Sequence, residues 1–265
     1  MDTEYVDVAD SEMRLRAVVH GLGIVVAAFL VGGLVLSTVG VLLLAPFVDI
    51  TLPDGSLTPI ANAVGMASQF VGFIAVVVAY LYWRDEWSLI GVRLPTLRDL
   101  GLVVGGFLAL FILSALLSVI ISAIGVDIAQ NAVVGMGQEN PELFLYLIPI
   151  NLLLVGPGEE LLFRGVVQRL FKRAYGVVPG ILVASAFFGV AHFVATLGQG
   201  AGSIATYLAI AAILGVVLGT VYEVTNNIIV PALIHGLWNS MQFAAQWYTA
   251  THDLPQELLI GLFLT

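Results

Sequence analysis

The sequence predicts an all-α protein, a polytopic transmembrane helical bundle of seven to eight spans. Three observations carry this. Hydrophobic residues make up 60% of the 265-residue chain and charged residues 10%, with a mean hydropathy of +1.04. A soluble domain carries about 25% charged residues. The apolar residues fall in runs long enough to cross a hydrocarbon core, which takes about 20 residues of helix. The basic residues outside those runs occupy alternate connections only.

The runs come in order. The first covers 18–47, more than a crossing needs, so it is expected to tilt or project. The others cover 60–83, 100–124, about 143 to 172, 177–197, 204–222 and 228–248. A last apolar stretch, 258–264, is too short to span and is expected to dock or re-enter. Pro149, Pro157, Pro179 and Pro231 lie inside runs, where neighbouring helices tolerate a kink. No repeat or second domain interrupts the series. Residues 1–16 read as an acidic cytoplasmic tail bearing Asp2, Glu4, Asp7, Asp10 and Glu12, and 17–265 as one domain. The acidic start is unlike the basic start of a cleaved signal.

Arg14 and Arg16 precede the first run. Arg84, Arg93 and Arg98 lie at or between the second and third, and Arg169, Lys172 and Arg173 close the fourth. The connections after the first, third, fifth and seventh hold no lysine or arginine. The positive-inside rule then predicts a multi-pass protein of the cell membrane with a cytoplasmic N-terminus. A net charge of −9 argues against nucleic acid as a partner and leaves membrane lipids as the expected surroundings. The acid excess with a single lysine hints at a high-salt cytoplasm. With no cysteine, disulfides, thiol nucleophiles and cysteine metal ligands are excluded.

Against this background a few polar residues stand out. Glu159 and Glu160 are adjacent in the fourth run, and Arg164 follows one turn later. A charge near the bilayer centre costs at least about 2.5–3.5 kcal/mol, so three together need partners or a task. Two of the four histidines, His192 and His235, lie in later runs, and Asn239 lies one turn past His235. Residues four apart share a helix face. His235 pairs in this way with Asn239, Phe188 with His192, and Glu160 with Arg164. Glu159 points about 100° away from Glu160, so the two carboxylates are expected to have different partners.

In order along the chain these residues spell Glu159-Glu160-x-x-x-Arg164, Phe188-x-x-x-His192 and His235-x-x-x-Asn239. They resemble the three motifs of the CAAX-protease and bacteriocin-processing intramembrane proteases, often called the Abi family, which includes the Ras-converting CAAX endopeptidase. The resemblance covers 143–247. It implies a protease acting on a membrane-associated peptide or protein, such as a prenylated CAAX-type substrate, near the cytoplasmic face.

The residues support the same chemistry when read by themselves. Glu159 is placed to serve as a general base, a role contributing about 10²–10⁴-fold, with His192 sharing or orienting the water. His235 and Asn239, on one face, offer two donors to a developing oxyanion. Glu160 and Arg164 form a supporting ion pair, and Phe188 packs. Glu159, His192 and His235 would also serve as a His₂Glu zinc site with an open water position. The sequence therefore leaves two cofactor states open, none or zinc. It leaves two other functional classes open as well: a transporter or scaffold using the same buried charges, and an inactive family member that binds substrate. Transporters commonly carry inverted repeats, and none is found here. Asn151, Gln168, Gln242 and Gln246 are further polar residues in apolar runs, with no role evident from the sequence.

Overall fold

The computed structural model describes residues 11–252. Eight helices of two turns or more account for most of them. We label these α1 (Ser11–Leu44), α2 (Pro59–Arg84), α3 (Leu97–Ile124), α4 (Ala132–Glu139), α5 (Glu142–Tyr175), α6 (Val177–Ala191), α7 (Ala201–Thr225) and α8 (Ile229–Thr251). Residues 1–10 and the 258–264 segment lie outside the described part. Because α1 begins at Ser11, residues 11–16 of the expected tail are its first turns.

Local chemistry sets the ends. Thr58 caps α2, its hydroxyl accepting from the Ala61 amide, with Pro59 at the first helical position. Thr96 and Asp99 form a capping box on α3. Asn131 caps α4 by accepting from the Val133 amide at 3.0 Å. Gly176, at φ 91°, lets the chain turn from α5 into α6 in one residue.

Each of the seven expected apolar runs forms a helix, as α1–α3 and α5–α8. Five of these, α1, α2, α3, α5 and α7, are long and apolar enough to cross a membrane. The protein is therefore a multi-pass helical membrane protein. The other two depart from the expected span for related reasons. α6 has 15 residues, about 22 Å at 1.5 Å per residue, and stops at His192. Its apolar run continues to Leu197, but as a turn and a short 3-10 segment, Val194–Thr196. α8 has 23 residues but is diluted by His235, Asn239, Gln242 and Gln246. The two less membrane-like helices are the ones that bring histidine to the interior. Helix α4 was not expected. Its eight residues are too few to show a period, and the Asn131 cap and the buried Val134 and Gly137 hold it in place.

Helix α1 packs along α2, and α6 lies between α5 and α7. Helix α8 touches α3, α4, α5 and α7 and so occupies the middle of the bundle. The core is densest around α5, where Leu162, Phe163, Val166 and Val167 are fully buried together with Phe73 of α2.

Two features of α5 shape the interior of the bundle. Its turns are widened over Asn151–Val155 and Leu161–Gln168, on either side of the glutamate pair. Pro157 contributes to the first widening: it has no N–H for the Leu153 carbonyl, four residues back. Such widened turns are frequent at functional sites. The second feature is a backbone-to-backbone crossing with α8. A Cβ placed on Gly156 would lie 2.7 Å from the Ala232 oxygen and 2.9 Å from the Gly236 nitrogen. One placed on Gly236 would lie 3.0 Å from the Asn151 oxygen. Gly156→Ala is therefore expected to push α5 and α8 apart, costing about 1–3 kcal/mol. It should lower turnover as well as thermal stability. An unchanged unfolding temperature would show that the crossing is looser than described.

At one end of the bundle the basic residues gather. Lys172 pairs with Glu223, Arg173 Nη1 lies 2.6 Å from Glu86 Oε2, and Arg93 forks onto Asp99. The loop between α2 and α3 is fastened to the turn between α7 and α8. The Gly91 amide donates to Tyr222 Oη at 3.2 Å, and the Ile228 amide to the Gly91 carbonyl at 2.8 Å. Labelling of single cysteines introduced in 94–96 and in 198–202 should report opposite sides of the membrane. Labelling from one side would overturn the assignment of this basic end to the cytoplasm.

Candidate active site

Helices α5, α6 and α8 each bring part of the expected constellation to one region. Glu160 is fully buried. Its Oε2 accepts from Arg164 Nε at 3.1 Å, the i,i+4 pair expected from the sequence. Its Oε1 accepts from His235 Nδ1 at 3.0 Å. The opposite ring nitrogen, His235 Nε2, lies 3.5 Å from Glu159 Oε2. The expectation that the two carboxylates would have different partners is thus corrected. An imidazole has nitrogens on opposed edges, and one ring set between α5 and α8 meets both. If His235 carries a proton, Glu159, Glu160, Arg164 and His235 sum to zero charge, a favourable state for a cluster this deep.

Arg164 is fully buried, and its guanidinium stacks over Phe188 at 5.0 Å from the ring centroid. Phe188 stands edge-on to His192 at 4.8 Å and to His235 at 5.6 Å. The packing role expected for Phe188 therefore takes a specific form: one ring separates the buried cation from both imidazoles. His192 Nδ1 donates to the Phe188 carbonyl at 2.8 Å. A carbonyl only accepts, so this contact fixes the proton on Nδ1 and leaves Nε2 of the neutral ring as an acceptor.

Asn239 Nδ2 donates to Asn151 Oδ1 at 3.1 Å, and Asn151 Nδ2 donates to the Leu147 carbonyl at 2.7 Å. Asn151 is a site residue whose role the sequence did not reveal, although it stood out as an amide in an apolar run. Two others, Tyr207 and Asn131, gave no signal. Tyr207 places its ring 6.0 Å from His192, and its hydroxyl accepts from Asn131 Nδ2 at 3.2 Å.

Two cavities meet here. The wider, about 560 Å³, is lined by Glu159, Asn151, His192 and Asn239 and extends to Phe29, Leu30 and Leu34 of α1. The narrower, about 140 Å³, is lined by His192, His235 and Asn239 and runs between Leu110, Ile210, Leu214 and Leu218. Leu30, Leu34 and Val194 are exposed on the outer surface, so the wider cavity abuts the lipid-facing side between α1 and the end of α6. Of the other histidines, His20 contacts Tyr80 and His252 contacts Tyr248, both away from this site.

The expected zinc set was Glu159, His192 and His235. Among the described residues, no group of three or more His, Asp or Glu side chains is placed to hold a metal ion. The residues as arranged do not fit a three-ligand zinc site.

Acid, imidazole and amide groups from α5, α6 and α8 thus gather on the two internal cavities. Residues 141–241 match the family model described as Rce1-like, type II CAAX prenyl endopeptidase. Over that segment, well under half of the chain, it is similar to the CAAX-protease family. The match runs from just before α5 into α8 and includes Glu159, Glu160, Arg164, Phe188, His192, His235 and Asn239. A search of curated proteins gave no match, and neither did a search of solved structures.

Proposed function

We propose that this chain is an intramembrane endopeptidase that hydrolyses a peptide bond of a membrane-associated, CAAX-type substrate, with Glu159 as the general base. One observation carries the reading. The Glu159 carboxylate lines the wider cavity beside His192 and Asn239, while its neighbour Glu160 is sealed in an ion pair. Of the adjacent glutamates, only Glu159 faces space that a substrate can enter.

In this reading a water held by Glu159 and His192 Nε2 attacks the scissile carbonyl carbon. Its proton passes to Glu159, and the carbonyl oxygen becomes an oxyanion. Asn239 donates to that oxygen, and a protonated His235, one turn away on α8, turns its Nε2–H to it once Glu159 has taken the proton from water, each such donor being worth about 2.7–4 kcal/mol. When the C–N bond breaks, the leaving nitrogen takes the proton from Glu159, giving a carboxylic acid and an amine. The wider cavity holds the peptide. The narrower one seats an apolar group of roughly benzene size, such as apolar cavities near 150 Å³ accept.

The test uses wild-type protein reconstituted in lipid vesicles with a C-terminal peptide carrying a prenylated cysteine, beside its unprenylated twin. Release of a C-terminal fragment from the prenylated peptide supports the full reading. Cleavage of both peptides equally would keep the protease and remove the CAAX preference. Cleavage of neither, by protein shown to be folded, would overturn the proposal.

A further inference from the structure

We propose that Asn151 is a positioning residue for Asn239, holding its amide in the one orientation that turns a donor toward the substrate. The inference rests on the oxyanion role given to Asn239 in the proposed reaction. Asn151 is 2% exposed, and both ends of its amide are engaged. The Leu147 carbonyl can only accept, so the 2.7 Å contact must be made by Asn151 Nδ2. That leaves Asn151 Oδ1, itself only an acceptor, facing Asn239. The atom of Asn239 that meets it at 3.1 Å must therefore be Nδ2.

One N–H of Asn239 is used in this contact, and the second points away from Asn151 in the same plane. Both side chains line the wider cavity beside Glu159. An Asn239 amide without this restraint is free to turn over and present Oδ1. An acceptor at that point repels a developing oxyanion where a donor stabilises it. The two residues are also held in register by the Gly156–Gly236 crossing, since Gly236 packs against the Asn151 backbone. A fully buried backbone carbonyl thus fixes a donor on a different helix through one intervening amide.

The experiment uses the full-length protein in vesicles with three variants: Asn151→Ser, Asn239→Ala and the double variant. Serine keeps a bond to the carbonyl four residues back, as Thr225 does with Val221 at 2.8 Å, but is too short to reach Asn239. Asn151→Ser should lower kcat by up to about 100-fold, as a misplaced group does, with KM and thermal unfolding close to wild type. The double variant should be no slower than Asn239→Ala alone. Losses that multiply, or wild-type kcat in Asn151→Ser while Asn239→Ala is inactive, would overturn the proposal and leave the role of Asn239 standing. Full activity in Asn239→Ala would overturn both. Should Asn151→Ser fail to fold, Asn151→Asp replaces it. A protonated carboxyl is a donor and an acceptor of the same shape, so kcat should recover toward wild type as pH is lowered. Absence of any such recovery counts against positioning.

Discussion

Glu159→Gln is expected to abolish peptide turnover while the protein still folds and inserts. Glutamine keeps the size of the side chain and its capacity to hydrogen-bond, but it cannot take a proton from water. The loss should be at least the 10²–10⁴-fold that a positioned general base contributes. Stability should hardly change, because Glu159 has cavity on one side and the Glu160–Arg164 pair is untouched. The assay is turnover of the prenylated peptide by each purified protein, with thermal unfolding and bound metal measured on the same samples. Full activity in Glu159→Gln would remove Glu159 from the role of base. Stoichiometric zinc in active wild-type protein, lost on His192→Ala or His235→Ala, would move water activation from the carboxylate to a metal.

The second large effect is on folding. Glu160 and Arg164 show no exposed side-chain surface, and Arg164 Nη1 and Nη2 find no hydrogen-bond acceptor. Phe188 covers the guanidinium instead. Removing one member of such a pair strands the other, at about 3–5 kcal/mol. Glu160→Gln should be the worse of the two changes, because it leaves an arginine that already lacks acceptors with no buried carboxylate of its own. Arg164→Ala leaves Glu160 still bonded to His235. Both should lower the unfolding temperature in detergent and lose activity. A variant that unfolds like wild type yet is inactive would place the pair in the chemistry and not in the scaffold.

The contrast between these two glutamates shows how far the sequence could be read. The helices were legible because a chain in hydrocarbon must satisfy its backbone within each span, and apolar runs of span length follow directly. The site residues were legible for the complementary reason: charge and imidazole are costly there, so Glu159, Glu160, Arg164, His192 and His235 stand out. Angular relations were less legible. The 100° separation of the glutamates assumes an even helix, and α5 is widened on both sides of them. His235 then reaches both carboxylates across a helix pair that no periodicity in either helix describes. The end of α6 was hidden as well, because Phe193, Val194, Ala195 and Leu197 prolong the apolar run past the last helical residue. Asn151 was visible as an oddity only. Its meaning depends on Gly156 and Gly236, two residues whose importance lies in what they lack.

The early end of α6 bears on the lipid as much as on the protein. A helix about 22 Å long faces hydrocarbon about 30 Å thick. A bilayer meets such a deficit by thinning beside the short element. On that flank the backbone after His192 must also be shielded by protein or line a wet space, since it has left the helix. The residues that follow this short helix, Val194 and Ala195, line the cavity that holds Glu159.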